Sequence, residues 1–149
     1  MPSQILIGSL LVVITTFVHA GCTLAALWAL RMTHADLWGL RSRSMRVTLI
    51  AALVLMMFLA GLLEVAVWAA TYLVVGALSA FEPALYFSTV TFTTLGYGDV
   101  TLNDSWRLLA SFEAANGIIM FGWTTALIVA FVHRVAGHET ASATSGSDD

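Results

Sequence analysis

The chain has 149 residues, 59 % of them hydrophobic and only 10 % charged, and it contains no lysine. No soluble domain of this size hides so much apolar surface in one core, so the composition places the chain among membrane proteins. A formal net charge of −3 offers no basic surface to nucleic acid. The one cysteine, Cys22, sits in an apolar run, forms no intrachain disulfide and packs as a small hydrophobe.

Three segments are long enough to cross a hydrocarbon core, which takes about 20 helical residues. The first spans 5–30. The residues before it, Met1-Pro2-Ser3-Gln4, carry no basic side chain, and the segment is too long for a signal-peptide core, so it reads as a retained transmembrane helix. A basic loop follows at 31–46, with Arg31, Arg41, Arg43 and Arg46. The second span is expected at 47–76 and the third at 106–134, closed by Arg134. Arginines gather on the cytoplasmic side of a membrane. The basic loop and the C-terminus are therefore expected inside, and the N-terminus and the loop between the second and third spans outside. Trp68, Tyr72 and Trp106 are expected in the aromatic belt of that outer face. Residues 136–149, rich in serine, threonine, alanine and acid, read as a disordered cytoplasmic tail.

The stretch between the second and third spans, 78–105, opens with a segment too short to cross. Its first part, 82–93, is predicted as a half-helix. Pro83 suits a first helical turn, where its missing N–H is no loss, and Glu82 suits the positive end of the dipole. Thr93-Thr94-Leu95-Gly96-Tyr97-Gly98-Asp99 comes next. A cation entering a membrane must exchange its water oxygens for fixed ones. Consecutive backbone carbonyls and a threonine hydroxyl can supply them if they point the same way, and that backbone needs glycine at Gly96 and Gly98. Irregular backbone at such depth is tolerated only where protein or water shields it, which a ring of chains provides and one chain does not.

The order of outer helix, half-helix, T-T-L-G-Y-G-D and glycine-bearing inner helix resembles the prokaryotic two-helix-plus-pore-loop potassium channels. The resemblance covers 47–135 and leaves the first span as an addition. It implies an all-α membrane protein: three transmembrane helices plus a re-entrant pore half-helix and a selectivity filter (94–99), assembling as a four-fold pore, a homotetramer. By the same resemblance Thr94, Leu95, Gly96, Tyr97 and Gly98 form the ion-coordinating filter. Potassium sits on the carbonyls of Thr94, Leu95, Gly96 and Tyr97, with the Thr94 hydroxyl as innermost site. Tyr97 is expected to turn away from the ions and pack near Tyr86 and Phe87, and Thr93 and Asp99 to support the filter. Gly117 and Gly122 stand where the family carries a gating hinge, or else mark close helix packing. Aligned on them, Ile118, Phe121, Thr125 and Val129 share one face and line a cavity below the filter.

Three departures from the family pattern stand out. Val100-Thr101-Leu102-Asn103-Asp104 lacks the usual proline after the filter aspartate. Val90 is apolar where some relatives place a carboxylate, so Asp99 is left to bond Tyr86. The extra first helix is the third.

Glu113, two turns into the inner helix, shares a face with Asn116 and lies opposite Ile118 and Phe121. It reads as a protonated or hydrogen-bonded strut behind the filter rather than an ion ligand. Glu64 falls near the outer boundary of the core, where it snorkels, pairs in the outer vestibule or, the favoured reading, plays a purely structural part. His19, His34, His133 and His138 scatter in depth and show no ligand spacing, so no metal is read from them beyond the permeant potassium, and no cofactor. His19 reads as a buried, hydrogen-bonded histidine. Gly21 and Ala25 could pack the first helix on the rim of the tetramer.

No nucleophile, base and orienting acid fall into a recognisable motif, so no enzyme activity is expected. Nor is a voltage-sensing helix or a soluble regulatory domain expected in this chain. The expected function is passive, potassium-selective conduction across the plasma membrane, with membrane lipid and three identical subunits as partners. Two alternatives stand beside it: a weakly selective cation channel, and a non-conducting or regulatory membrane subunit.

Overall fold

A computed structural model describes residues 2–33 and 43–144, with side chains for 2–29 and 44–133. Most of the basic loop, including His34 and Arg41, lies outside the described residues, as do 145–149. The described chain is all helical: α1 (Pro2–Thr33), α2 (Arg43–Val74), α3 (Phe81–Phe92) and α4 (Arg107–Thr144). At 1.5 Å per residue, α1, α2 and α4 exceed the roughly 30 Å of a hydrocarbon core, whereas α3, at about 18 Å, is too short to cross it. Pro2–Ala29, Ser44–Val74 and Arg107–His133 are apolar enough to cross a membrane.

The helix α2 closes at Gly76, whose φ of 68° is left-handed, while the amides of Ala77 and Leu78 return to the Tyr72 carbonyl. That turn delivers the chain to α3 from the same end of the bundle. Helix α3 packs on α2 and α4, and α1 packs on α2 and α4 from another side. Trp68, Tyr72, Phe87, Phe92, Leu109 and Met120 form the central core, with Tyr72 and Phe87 edge-to-face at 5.2 Å. A second cluster of Ala26, Leu53 and Met57 joins the helices towards the other end.

Two expectations change here. Trp68 and Tyr72 are wholly buried rather than part of an outer aromatic belt. They follow Glu64 at four-residue steps, and that stripe of α2 faces the other helices rather than lipid. The tail is also not irregular from 136 on, because α4 continues to Thr144. Its alanines favour helix, and no proline interrupts it.

Candidate ion-conduction site

The half-helix α3 begins after Ala80, with Glu82 in its first turn, and ends at Thr93. Its last carbonyls carry the negative end of the dipole, so this end favours a cation. The chain then turns back on itself. The Thr94 amide donates to the Thr91 carbonyl at 2.9 Å, and the Leu95 and Gly96 amides both donate to the Val90 carbonyl. The Thr93 hydroxyl donates to the Thr89 carbonyl at 2.6 Å, which ties that side chain to the helix end.

The backbone handedness of the returning strand alternates. Thr94, Gly96 and Gly98 have φ of 61°, 57° and 80°, while Leu95 and Tyr97 between them do not enter the left-handed region. Alternating hands along a chain turn successive carbonyls to the same side, which is the geometry a file of cations requires. Glycine accepts positive φ at no steric cost, but a β-branched residue does not. Thr94 therefore holds strain of order 1–3 kcal/mol, of the kind that collects at ligand clamps.

Behind the strand lies a cleft of about 240 Å³, walled by Phe87 and Val90 of α3, Ala110 of α4 and the backbone of Gly96 and Gly98. The Tyr86 hydroxyl donates to Asp99 Oδ2 at 2.7 Å and pins the far end of the strand to α3. This bond holds the Asp99 carboxyl below the ordinary carboxylate range. Leu95 and Tyr97 are 56 % and 68 % exposed. Most of the Tyr97 ring is therefore open to another surface.

Glu113 is fully buried between three helices. The Tyr72 hydroxyl of α2 donates to its Oε2 at 2.6 Å, and the Ser88 hydroxyl of α3 touches its Oε1. Ser88 also reaches the Val65 carbonyl at 2.9 Å, and one hydroxyl proton serves only one of these acceptors at a time. A neutral carboxyl gives every group a partner, since it can donate to Ser88 while Ser88 donates to Val65. Glutamine likewise offers an oxygen that accepts from Tyr72 and an N–H that donates to Ser88. Glu113→Gln is therefore expected to melt within a few degrees of the wild type in detergent. Glu113→Leu leaves the buried Tyr72 hydroxyl without its partner, while Ser88 keeps Val65, and should cost about 1–3 kcal/mol.

On α4, Glu113, Asn116 and Met120 are buried, whereas Ile118, Phe121, Thr125 and Val129 are all exposed on the other face. Phe121 meets Phe92 edge-to-face at 5.8 Å, which places this face beside the end of the half-helix. The two glycines differ. A methyl group at Gly117 would strike the Phe92 carbonyl, whereas nothing lies within 4 Å of Gly122. Gly117 is a close-packing position. It lets α4 touch the last turn of α3 backbone to backbone.

Glu64 is not in an outer vestibule. It is buried, and its Oε1 lies 2.8 Å from His19 Nδ1. The two side chains partner one another, which is how ionisable groups tolerate apolar surroundings. His19 Nε2 in turn lies 3.3 Å from the Thr124 hydroxyl of α4, and the Thr15 hydroxyl accepts from Asn116 Nδ2 at 2.8 Å. This network was not predicted from sequence. Its visible signal is the run of Thr15, His19 and Thr23 at four-residue steps, one stripe of an otherwise apolar helix.

A half-helix too short to cross the core, a returning strand with alternating backbone hands, and a long helix touching both define a membrane pore-loop protein. The model of an ion-channel family matches residues 60–134, which run from the middle of α2 through the half-helix and strand to α4. The chain belongs to that ion-channel family, and it is an integral membrane protein with one helix, α1, outside the matched region. No curated protein and no solved structure matches it.

Proposed function

We propose that the protein is a potassium-selective channel in which four copies bring their Thr94–Gly98 strands around one axis. The observation that carries this reading is the alternation of positive φ at Thr94, Gly96 and Gly98, directly after a half-helix whose negative end faces the same point. Carbonyls turned one way along five residues match stacked cation sites, and the sequence T-T-L-G-Y-G-D is that of potassium filters. One chain leaves Leu95, Tyr97 and the face of Ile118, Phe121, Thr125 and Val129 uncovered. Four copies explain all three exposures at once, with the strands at the axis, the tyrosines between neighbours and the α4 faces around a cavity. The permeant ion is the only one required, and conduction is passive, along the electrochemical gradient.

The arginine distribution supports a plasma-membrane orientation with the filter mouth outside. Gln4 accepts from the Leu108 amide, so the start of α1 lies beside the start of α4, at the filter end of the bundle. The test is direct. Solubilised protein should have four times the 16.0 kDa mass of one chain, and liposomes containing only this protein should release potassium. A monomer or dimer without flux would instead mark an accessory subunit.

A further inference from the structure

The match to the ion-channel family begins at residue 60, so α1 lies outside it. A helix that served only as a membrane anchor would be apolar all round. Instead Gln4, Thr15, His19 and Thr23 are buried along one stripe with Leu11 and Ala26, while Leu6, Leu10, Phe17 and Leu24 face outward. Buried polar groups in a bilayer are costly unless each finds a partner.

Most of these partners fall on α4, at a regular interval. Gln4 Oε1 accepts from the Leu108 amide at 3.2 Å, Thr15 Oγ1 accepts from Asn116 Nδ2, and His19 Nε2 faces the Thr124 hydroxyl. Leu108, Asn116 and Thr124 stand two turns apart, so the seam runs along about 24 Å of the inner helix. Apolar contact between helices gains little in lipid, because the tails are as apolar as leucine. Hydrogen bonds at set positions are therefore what fixes the rotation of one helix against another.

The central contact is fixed from both sides. Glu64 engages His19 Nδ1, and Trp123 lies edge-on to the imidazole at 5.4 Å, so Nε2 is turned towards Thr124. The second oxygen of Glu64 is buried without a partner, so the imidazole is the one side chain that holds this carboxyl. Thr124 directly precedes Thr125 of the exposed α4 face. A rotation of α4 that moved that face would break the His19 contact.

We propose that α1 is a working part of each conducting subunit, with Thr15 and His19 as positioning residues that set the rotation of α4 and hence its cavity face. The proposal rests on the channel reading above, and it assigns α1 a role in conduction rather than in anchoring.

Two substitutions at Thr124 test it in the full-length chain. Thr124→Val keeps the volume and removes the hydroxyl, whereas Thr124→Ser keeps the hydroxyl and removes a methyl group. A residue that only fills space makes valine the neutral change. A residue that holds His19 makes serine the neutral one. Potassium flux from liposomes should stay within about twofold of wild type for Thr124→Ser and change about three- to tenfold for Thr124→Val. Melting of the solubilised protein tests the seam without any conduction. Thr15→Val and Asn116→Leu should be non-additive by about 2–4 °C. A wild-type chain that carries no potassium would defeat the channel reading, while the melting cycle still reports on the seam. Wild-type flux in Thr124→Val, a larger effect in Thr124→Ser, or additive melting would each overturn the proposal.

Discussion

Gly117→Ala is expected to cost about 2–3 kcal/mol of stability and to abolish conduction, although alanine is the better helix former. The added methyl would lie 2.9 Å from the Phe92 carbonyl carbon and closer still to its oxygen. Those are backbone atoms at the end of α3, so no side chain can swing aside. Relief requires α3 and α4 to separate, and α3 carries the segment proposed to hold the ions. Overpacking of this kind costs about 1–3 kcal/mol or more, against roughly 1 kcal/mol gained from helix propensity. Gly122→Ala provides the control, because open space surrounds that position. It should stabilise by about 0.5–1 kcal/mol. Thermal melting of the two variants should therefore shift in opposite directions. Equal shifts would mean that Gly117 does not pack against Phe92.

Gly96→Ala should remove potassium-selective flux with a smaller change in melting. At φ 57° alanine is strained by about 1–2 kcal/mol, and nothing in the surrounding chain obstructs its methyl group. The backbone relieves that strain by changing φ, and the carbonyls beside it then turn away from their common side. In the proposed four-fold pore the cost falls once per subunit, so four copies at one axis feel it four times. The two glycine variants thus separate two kinds of damage. Gly117→Ala injures the scaffold, and Gly96→Ala injures the oxygens. A Gly96→Ala protein that still passed potassium selectively would show that those carbonyls do not form the ion path.

Much of the fold was legible because its signals are local. Length and apolarity mark three spans, Glu82 and Pro83 mark the start of the half-helix, and paired glycines mark the turned backbone after it. The Tyr86–Asp99 bond followed from the apolar side chain at Val90, which leaves Asp99 no acidic neighbour. What remained hidden was the facing of the helices. A span that is apolar all round has no hydrophobic face to read, so depth can be counted along it but rotation cannot. Glu64 was placed by its distance from Arg46 and assigned to the outer boundary. Its partner, His19, is 45 residues away on a helix whose packing no motif describes. Trp68 and Tyr72 were assigned to an aromatic belt for the same reason. In such helices the buried side is marked by polar and small residues, and α1 and α2 both carry that mark.

Tyr97 is a different case. On the proposed reading its exposure in one chain is covered by a neighbouring copy, and no property of a single chain determines what covers it. The handedness of Thr94 was also not foreseen. Glycines were expected to supply the turned backbone, yet a threonine adopts the first left-handed position.

The central claim is that these strands pass potassium and reject sodium. Purified wild-type protein in a planar bilayer, with potassium on one side and sodium on the other, tests it through the reversal potential. The potential should lie far towards the side that draws current from potassium alone, and it should follow the potassium gradient as that gradient is changed. A reversal potential near zero under the same conditions, with current flowing, would mean a pore that does not distinguish the two ions and would contradict the claim.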